Sequence, residues 1–274
     1  MNLEQLTNIA IKAALSAGKI IQQYMHEDVS VEKKKGGESY ASQVVTVVDK
    51  KCETAILAHL LPTCEEFGLG LLSEETEDDG SRFREDFFWC IDPLDGTLAF
   101  INKRPGFCVS IALIAKDGTP CIGVVFDPST DTLYHAIKGK GVFKNYSPWE
   151  IKHTNSHLTY VTDQQLKDTP RAVEIENLLN KNVEKLSLNT VKEIAGAGSV
   201  LNGIIVLENG PACMFKFPKK ENGGGSIWDF AATACIYQEL GLPATNFDGG
   251  RLDLNRKDNT FMNQEGVFYA NLNA

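Results

Sequence analysis

The sequence predicts an α/β (α+β) fold. Strand-like apolar runs and helical periodicities are mixed through both halves of the 274 residues, a pattern of packed mixed layers. The most apolar of the runs, Phe87-Phe88-Trp89-Cys90-Ile91, has the length and aromatic content of a buried strand. It leads directly into Asp92-Pro93-Leu94-Asp95-Gly96-Thr97, so two carboxylates and a hydroxyl emerge where open α/β sheets present ligands.

The elements follow in order. Leu3, Leu6, Ile9, Ala10, Ala13, Ala17, Ile20, Ile21 and Tyr24 recur at helical spacing and predict an amphipathic helix over 3–25. A charged, Gly-containing loop is expected at 32–39. A second helix is expected at 47–61, stopped by Pro62. Short strands are expected at 69–72, 87–91, 109–115, 121–126 and 133–137, with Asp117-Gly118 as a hairpin signal. Pro93, without an N–H, is expected to stop the strand it follows. Gly139-Lys140-Gly141 and Ser147-Pro148 suggest a boundary near residue 147, giving an N-terminal α+β subdomain 1–147 and a C-terminal α/β subdomain 148–274. In the second part the pattern predicts a strand at 159–162 and a helix at 171–180. A Gly-rich turn at 196–198 leads into a helix ending at Asn209-Gly210. A strand at 212–217, a Lys- and Gly-rich loop at 218–225, a helix at 227–240 closed by Gly241, and a last strand at 266–270 complete the chain.

Composition narrows the function. A net charge of −9 excludes a broad nucleic-acid-binding surface, although bound cations would let an acidic protein act on phosphates. The seven cysteines stand scattered without a C-x-x-C pair, which favours reduced thiols and a cytoplasmic setting. No run approaches transmembrane length. Glu4, Lys12 and Lys19 among the first apolar residues do not fit a signal peptide. Neither nucleic acid nor membrane is expected as a partner.

Three acidic sites join the opening motif. Leu71-Leu72-Ser73-Glu74-Glu75 places carboxylates at a second strand end, Thr46-Val47-Val48-Asp49 opens the second helix, and Ser226-Ile227-Trp228-Asp229 opens the last long one. Read singly, Thr46 with Asp49 and Ser226 with Asp229 resemble capping boxes, and residues 74–79 read as a solvated acidic run. Read together, Asp49, Glu74, Asp92, Asp95 and Asp229 make an all-oxygen set. None of the five histidines (His26, His59, His135, His153, His157) lies in these motifs, which favours Mg²⁺ or Mn²⁺ over Zn²⁺. His59 follows the apolar face of its helix and reads as structural. The Gly196-Ala197-Gly198-Ser199 turn offers backbone N–H groups to an anion. Lys216, Lys219 and Lys220 lie near the acidic helix start, either to meet a substrate phosphate or as a solvated loop.

In this order, Thr46-x-x-Asp49, Ser73-Glu74-Glu75, Asp92-Pro-Leu-Asp-Gly-Thr97, Gly196-Ala-Gly-Ser199 and Trp228-Asp229 resemble the motifs of the inositol monophosphatase superfamily. The resemblance implies an αβαβα sandwich similar to fructose-1,6-bisphosphatase. It implies a Mg²⁺-dependent, Li⁺-sensitive phosphomonoesterase that uses metal-activated water, with two or three ions and homodimers as the usual assembly. Carried over, Glu74, Asp92 and the Leu94 carbonyl hold one ion, and Asp92, Asp95 and Asp229 a second. Glu74 with Thr97 activates water, while Asp49 with Thr46 supports a further ion or water. Gly96 and Thr97 hold phosphate, Gly198 and Ser199 touch the alcohol portion, and Asp95 and Asp229 border it.

Within the superfamily the chain is most similar to the 3′(2′),5′-bisphosphate nucleotidases. Phe100 after the opening motif, Ser226-Ile227-Trp228-Asp229 and Asn259-Thr260-Phe261-Met262-Asn263 carry that similarity. Inositol monophosphatases usually have an acid about six positions before the Trp; here Asn222 stands there, beside Glu221. The substrate implied is adenosine 3′,5′-bisphosphate, with an inositol phosphate as the alternative, in an inositol monophosphatase or inositol polyphosphate 1-phosphatase-like enzyme. Two other readings differ in class. Asp95-Gly96-Thr97 resembles the Asp-x-Asp-Gly-Thr phosphatases that form an aspartyl-phosphate, but Asp92 and Asp95 are three apart rather than two. The other is a catalytically silent phosphate-ligand-binding protein, against which every expected metal ligand is present.

Overall fold

The computed structural model describes residues 1–28, 31–33, 44–151 and 155–272. His153 and positions 34–39 of the expected loop lie outside them; positions 31–33 form a strand instead. In chain order the helices are α1 (Leu3–Tyr24), α2 (Val47–Phe67), α3 (Thr97–Ile101), α4 (Ala172–Lys185), α5 (Ser199–Glu208) and α6 (Ile227–Leu240). The strands are β1 (Val31–Lys33), β2 (Val44–Thr46), β3 (Gly70–Ser73), β4 (Phe87–Asp95), β5 (Cys108–Ala115), β6 (Pro120–Asp127), β7 (Thr132–Ile137), β8 (Gly141–Lys144), β9 (Ser147–Pro148), β10 (Leu158–Thr162), β11 (Val191–Ala195), β12 (Ala212–Lys216), β13 (Ala244–Thr245) and β14 (Val267–Asn271).

Two large sheets organise the molecule. β3 to β9 form a seven-stranded sheet in sequence order, with β3 parallel to β4 and the rest antiparallel. The second sheet runs β11-β10-β12-β14-β13, parallel through its first three strands. β1 and β2 pair as a short separate ribbon. The expected boundary near residue 147 falls within β9, the last strand of the first sheet.

The packing follows from alternation along β4 and β5. Trp89, Ile91, Val109, Ile111 and Leu113 face α1 and α2, while Phe88, Cys90, Cys108, Ala112 and Ile114 face α5 and α6. Both faces of this sheet are covered, so its central strands read as continuous apolar runs. α5 packs between β10 and β12 on one side and α6 on the other, and α4 covers the far face of the second sheet with Leu158, Tyr160 and Ile175. The layers are therefore helix, sheet, helix, sheet, helix. All seven cysteines are free, and all but Cys64 are buried. No described helix is long and apolar enough to cross a membrane.

Two expectations are corrected. Helix α2 does not stop at Pro62 but runs to Phe67, ending on Gly68 in the left-handed region. Pro62 removes one ladder donor, and burial of Leu60 and Thr63, with Thr63 Oγ1 accepting from Trp89 Nε1 at 2.9 Å, carries the helix through. Nor does Pro93 stop β4. The strand continues to Asp95 with a register break: Asp92 pairs with Ser110 and Asp95 with Cys108. Two residues, Pro93 and Leu94, thus face one, Val109, across the ladder, the count of a β-bulge, where a missing N–H is tolerated.

Candidate metal-dependent active site

The bulge decides where the opening motif points. In a regular strand, residues three apart face opposite sides. The extra residue restores Asp95 to the side of Asp92, while Leu94 packs with the α1/α2 core. Asp92 belongs to the face shared by Phe88 and Cys90, which is covered by α6. Ser110, opposite Asp92, donates its hydroxyl to the carbonyl of Trp228 at 3.2 Å. That bond sets the first turn of α6, and with it Asp229, over the strand. Asp92, Asp95 and Asp229 each offer an oxygen, all within 4.8 Å of one another. Glu74 enters through the parallel register: Ser73 pairs with Ile91, Glu74 N–H bonds the Ile91 carbonyl at 3.2 Å, and the Glu74 carboxyl shares a hydrogen bond with Asp92.

Both helix starts are capping boxes as well. Thr46 N–H and hydroxyl donate to Asp49 Oδ2 at 2.8 and 2.5 Å, and Ser226 N–H donates to Asp229 Oδ2 at 2.5 Å. The capping role does not exhaust Asp49. Its other oxygen, Oδ1, accepts from Thr97 Oγ1 at 3.2 Å, and the same hydroxyl lies 3.1 Å from the Leu94 carbonyl. Thr97 opens the five-residue α3, after Gly96 at φ 82°. A Cβ on Gly96 would meet the Gly106 carbonyl oxygen at 2.3 Å, so both the angle and the space require glycine.

The anion at the Gly-rich turn proves to be a side chain of the protein. Asp95 Oδ1 accepts from Ser199 N–H at 3.2 Å and Oδ2 from Val200 N–H at 3.0 Å, so the N-terminus of α5 grips a carboxylate carried by the first sheet. A Cβ on Gly198 would fall 2.3 Å from Asp95 Oδ2, which explains the glycine before the helix. Lys216, at the end of β12, donates to Ser199 Oγ at 2.8 Å and pairs with Asp163 at 2.7 Å. Lys219, Lys220, Glu221 and Asn222 are exposed.

The electrostatics are those of crowded acids. Asp92 and Asp95 are 1% and 4% exposed, and Asp229 is half-buried. Burial, then the neighbouring Glu74, Asp95 and Asp229 charges, push Asp92 well above the usual carboxylate range. Burial and Asp229 raise Asp95 against the pull of the Val200 N–H and Lys216. Burial and Glu74 raise Asp229 to about 6. A buried all-oxygen set with raised proton affinity fits a hard divalent cation, which replaces the proton as the neutralising charge.

Two participants were not among the sequence candidates. Asp163 follows β10 and binds both Lys216 and, through Oδ1, Asn202 Nδ2 at 2.8 Å. As an acid at a strand end it carries the same signal as Asp92. Glu53 is buried one helical turn beyond Asp49 and accepts from Ser73 Oγ at 2.5 Å, anchoring the strand that carries Glu74. His59 meets Ser16 Oγ at 3.0 Å on the α1–α2 side, away from the carboxylates.

The family model for the inositol monophosphatase family matches residues 2–273. Inositol monophosphatase 1 of Solanum lycopersicum is 30% identical over 259 residues, covering 92% of this chain and 88% of that protein. The inositol-1-monophosphatase of Bacillus subtilis is 28% identical over 248 residues, covering 90% of this chain and 88% of its own. Among solved structures, CysQ from Bacteroides thetaiotaomicron, a bacterial member of the same family, is 27% identical with a TM-score of 0.73 over 97% of both chains.

Proposed function

The chain belongs to the inositol monophosphatase family, metal-dependent phosphatases that hydrolyse phosphomonoesters, and from that premise we propose that it removes the 3′-phosphate of adenosine 3′,5′-bisphosphate, releasing AMP and phosphate. The observation that carries the metal-assisted part of this reading is the convergence of Asp92, Asp95 and Asp229 within 4.8 Å. Glu74, Asp92 and the Leu94 carbonyl would hold one Mg²⁺ (or Mn²⁺), Asp92, Asp95 and Asp229 a second, and Asp49 with Thr46 a further ion or water. Bound there, the cations supply Lewis acidity, lowering the pKa of water and neutralising charge on the attacking and leaving oxygens.

The side chains divide the remaining work. The Thr97 hydroxyl donates its hydrogen bond to Asp49 or the Leu94 carbonyl, which leaves its lone pairs to accept from the attacking water and fix that water's orientation. Glu74 takes the second proton of the water as its oxygen bonds phosphorus. The bond from phosphorus to the 3′-oxygen breaks, and that oxygen takes a proton from solvent. Gly96 and Thr97 face the transferred phosphoryl group, while Gly198 and Ser199 form the floor on the alcohol side, bordered by Asp95 and Asp229. In this reading residues 1–147 supply most of the metal ligands, and 148–274 supply Asp229 and the substrate-side loops.

The motif set around Asp92 and Trp228 supports the nucleotide, as does the exposed Asn222 where inositol monophosphatases carry an acid. A second reading, hydrolysis of an inositol monophosphate, is favoured by the relatives bearing that name at 30–31% identity. Phosphate release from adenosine 3′,5′-bisphosphate, inositol 1-phosphate and fructose 1,6-bisphosphate, side by side with Mg²⁺ and with or without Li⁺, separates them. A tenfold preference, about 1.4 kcal/mol in transition-state binding, for inositol 1-phosphate would replace the first reading with the second. Phosphate release from none of them would leave a silent binding protein.

A further inference from the structure

Arg82 is 2% exposed, and no other lysine or arginine among the described residues is buried. A buried charge is costly unless its donors are met, and this guanidinium is met from two directions. Nε donates to Asp78 Oδ2 at 2.7 Å, while Nη1 donates to Asn255 Oδ1 at 2.9 Å and to the Arg256 carbonyl at 2.8 Å. The Phe83 ring lies 3.9 Å below it. Asn255 returns the contact, its Nδ2 donating to the Arg82 carbonyl at 3.2 Å and to the Lys116 carbonyl at 2.9 Å. A second arginine continues the path. Arg256 Nη1 donates to the Phe261 carbonyl at 2.8 Å, and Asp258 holds Arg256 Nε and Nη2 at 3.1 and 2.9 Å. Phe261 pairs with Ser226 in an isolated antiparallel bridge. Beside it, the Ile227 N–H bonds the Thr260 carbonyl at 2.9 Å and the Met262 N–H the Gly225 carbonyl at 3.0 Å.

Each end of this path leads to an acid of the carboxylate cluster. Asp78 lies in the loop by which the chain leaves β3 after Glu74, and Ser226 caps the helix that carries Asp229. The Glu74 and Asp229 carboxylates repel one another, and Glu74 is, after burial, the main cause of the raised proton affinity of Asp229. That repulsion drives the two apart until a cation arrives, so tight binding requires a frame that holds them in place beforehand. We propose that Arg82 and Arg256 are positioning residues for Mg²⁺, two guanidinium groups in series that tie the Glu74 loop to the start of α6. This rests on the metal-dependent reading above and deepens it with residues that touch neither cation nor substrate. An apolar side chain of similar volume could fill the place of Arg82 and keep the fold. It could not join a carboxylate on one side to two oxygens on the other, which a planar fork of donors does.

The test measures Mg²⁺ affinity by titration calorimetry in the wild type, Arg82→Met, Arg256→Met, the double variant, Arg82→Lys and Thr63→Val. Each Met variant is expected to bind Mg²⁺ about 10- to 100-fold more weakly, as for other partners of metal ligands. The double variant is expected to lose no more than the weaker-binding single one, because a path in series is broken only once. Arg82→Lys is expected to follow Arg82→Met, since one ammonium does not reproduce the fork. Thr63→Val leaves the Trp89 indole N–H without its acceptor on the α2 side of β4. It is expected to lower the melting temperature and keep Mg²⁺ affinity, which separates positioning from general stability. At saturating Mg²⁺, kcat of the Arg256→Met variant is expected to stay within about threefold of wild type, because every proposed ligand is still present. Arg256→Met also carries the test if Arg82→Met folds poorly: it leaves unpaired only Asp258, whose side chain is 54% exposed. Unchanged affinity in Arg256→Met, losses that multiply in the double variant, or an equal loss in Thr63→Val overturns the inference and leaves the phosphatase reading intact. A wild type that binds no Mg²⁺ overturns the metal-dependent reading and this inference together.

Discussion

Asp92 is held between three other acids, and this makes its substitution informative in two directions. In Asp92→Asn a carboxylate shared by both proposed ion positions becomes a neutral amide, so turnover with Mg²⁺ is expected to fall about 10³-fold or more, roughly 4 kcal/mol. The metal-free variant is expected to melt no lower than wild type, because one member of a mutually repelling buried set has lost its charge. Near-normal turnover in a steady-state assay would remove Asp92 from the chemistry. Gly198→Ala tests the grip on Asp95 without replacing a ligand. The added methyl would meet Asp95 Oδ2 at 2.3 Å, and Mg²⁺ affinity by titration calorimetry is expected to drop about 10- to 100-fold, as for other partners of metal ligands. The residues of this site were legible in the sequence where they stand in compact motifs at element ends. The pairings of Asp163, Asn202 and Glu53 were not, because each acts through a partner 20 to 53 positions away, and no local spacing encodes such a pairing.

Helix α2 does two jobs with one turn. Thr46 caps it and fixes the Asp49 carboxylate that receives Thr97. Thr46→Val keeps the shape and deletes the hydroxyl, so a loss of about 1 kcal/mol in chemical denaturation is expected. A drop in kcat is expected beside it, since Asp49 loses one of the bonds that orient it; a purely structural cap would lower stability and leave kcat alone. Most long elements were readable from periodicity, and α1, α5, α6, β5 and β6 lie within a residue or two of expectation. The misses share a physical cause. β11, Val191-Lys192-Glu193-Ile194-Ala195, carries two exposed charges and pairs in parallel with a strand over thirty residues earlier, so its extended state is imposed by β10. β8 follows a Gly-Lys-Gly that reads as a break, although β7 supplies its hydrogen bonds. The bulge at Pro93 is visible only against the register of β5.

For the whole molecule the crowded carboxylates set a pH dependence. Asp229 sits at about 6 in the fold against an ordinary 3.8, with burial as the first cause and Glu74 the second. The folded chain therefore holds a proton that the unfolded chain releases across that window, and the stability this proton contributes is lost as pH rises from about 4 through 6. Asp92 and Asp95 shift in the same direction. Metal-free protein is expected to melt higher at pH 5 than at pH 7 in scanning calorimetry. Millimolar Mg²⁺ is expected to raise the pH 7 midpoint more than the pH 5 one, since a ligand stabilises in proportion to its occupancy of the native state. Midpoints that ignore both pH and Mg²⁺ would contradict a cation site in this cluster. The grip of α5 on Asp95 has a different kind of consequence. The two bonds come from the main chain of Ser199 and Val200, and every amino acid except proline offers the same N–H. Saturation mutagenesis would thus report tolerance at position 200 wherever the new side chain fits, intolerance at 198, and nothing that names the contact itself. Only proline, or replacement of an amide by an ester, would expose it, so a centre on which the reaction depends can be concealed from any survey that counts side chains.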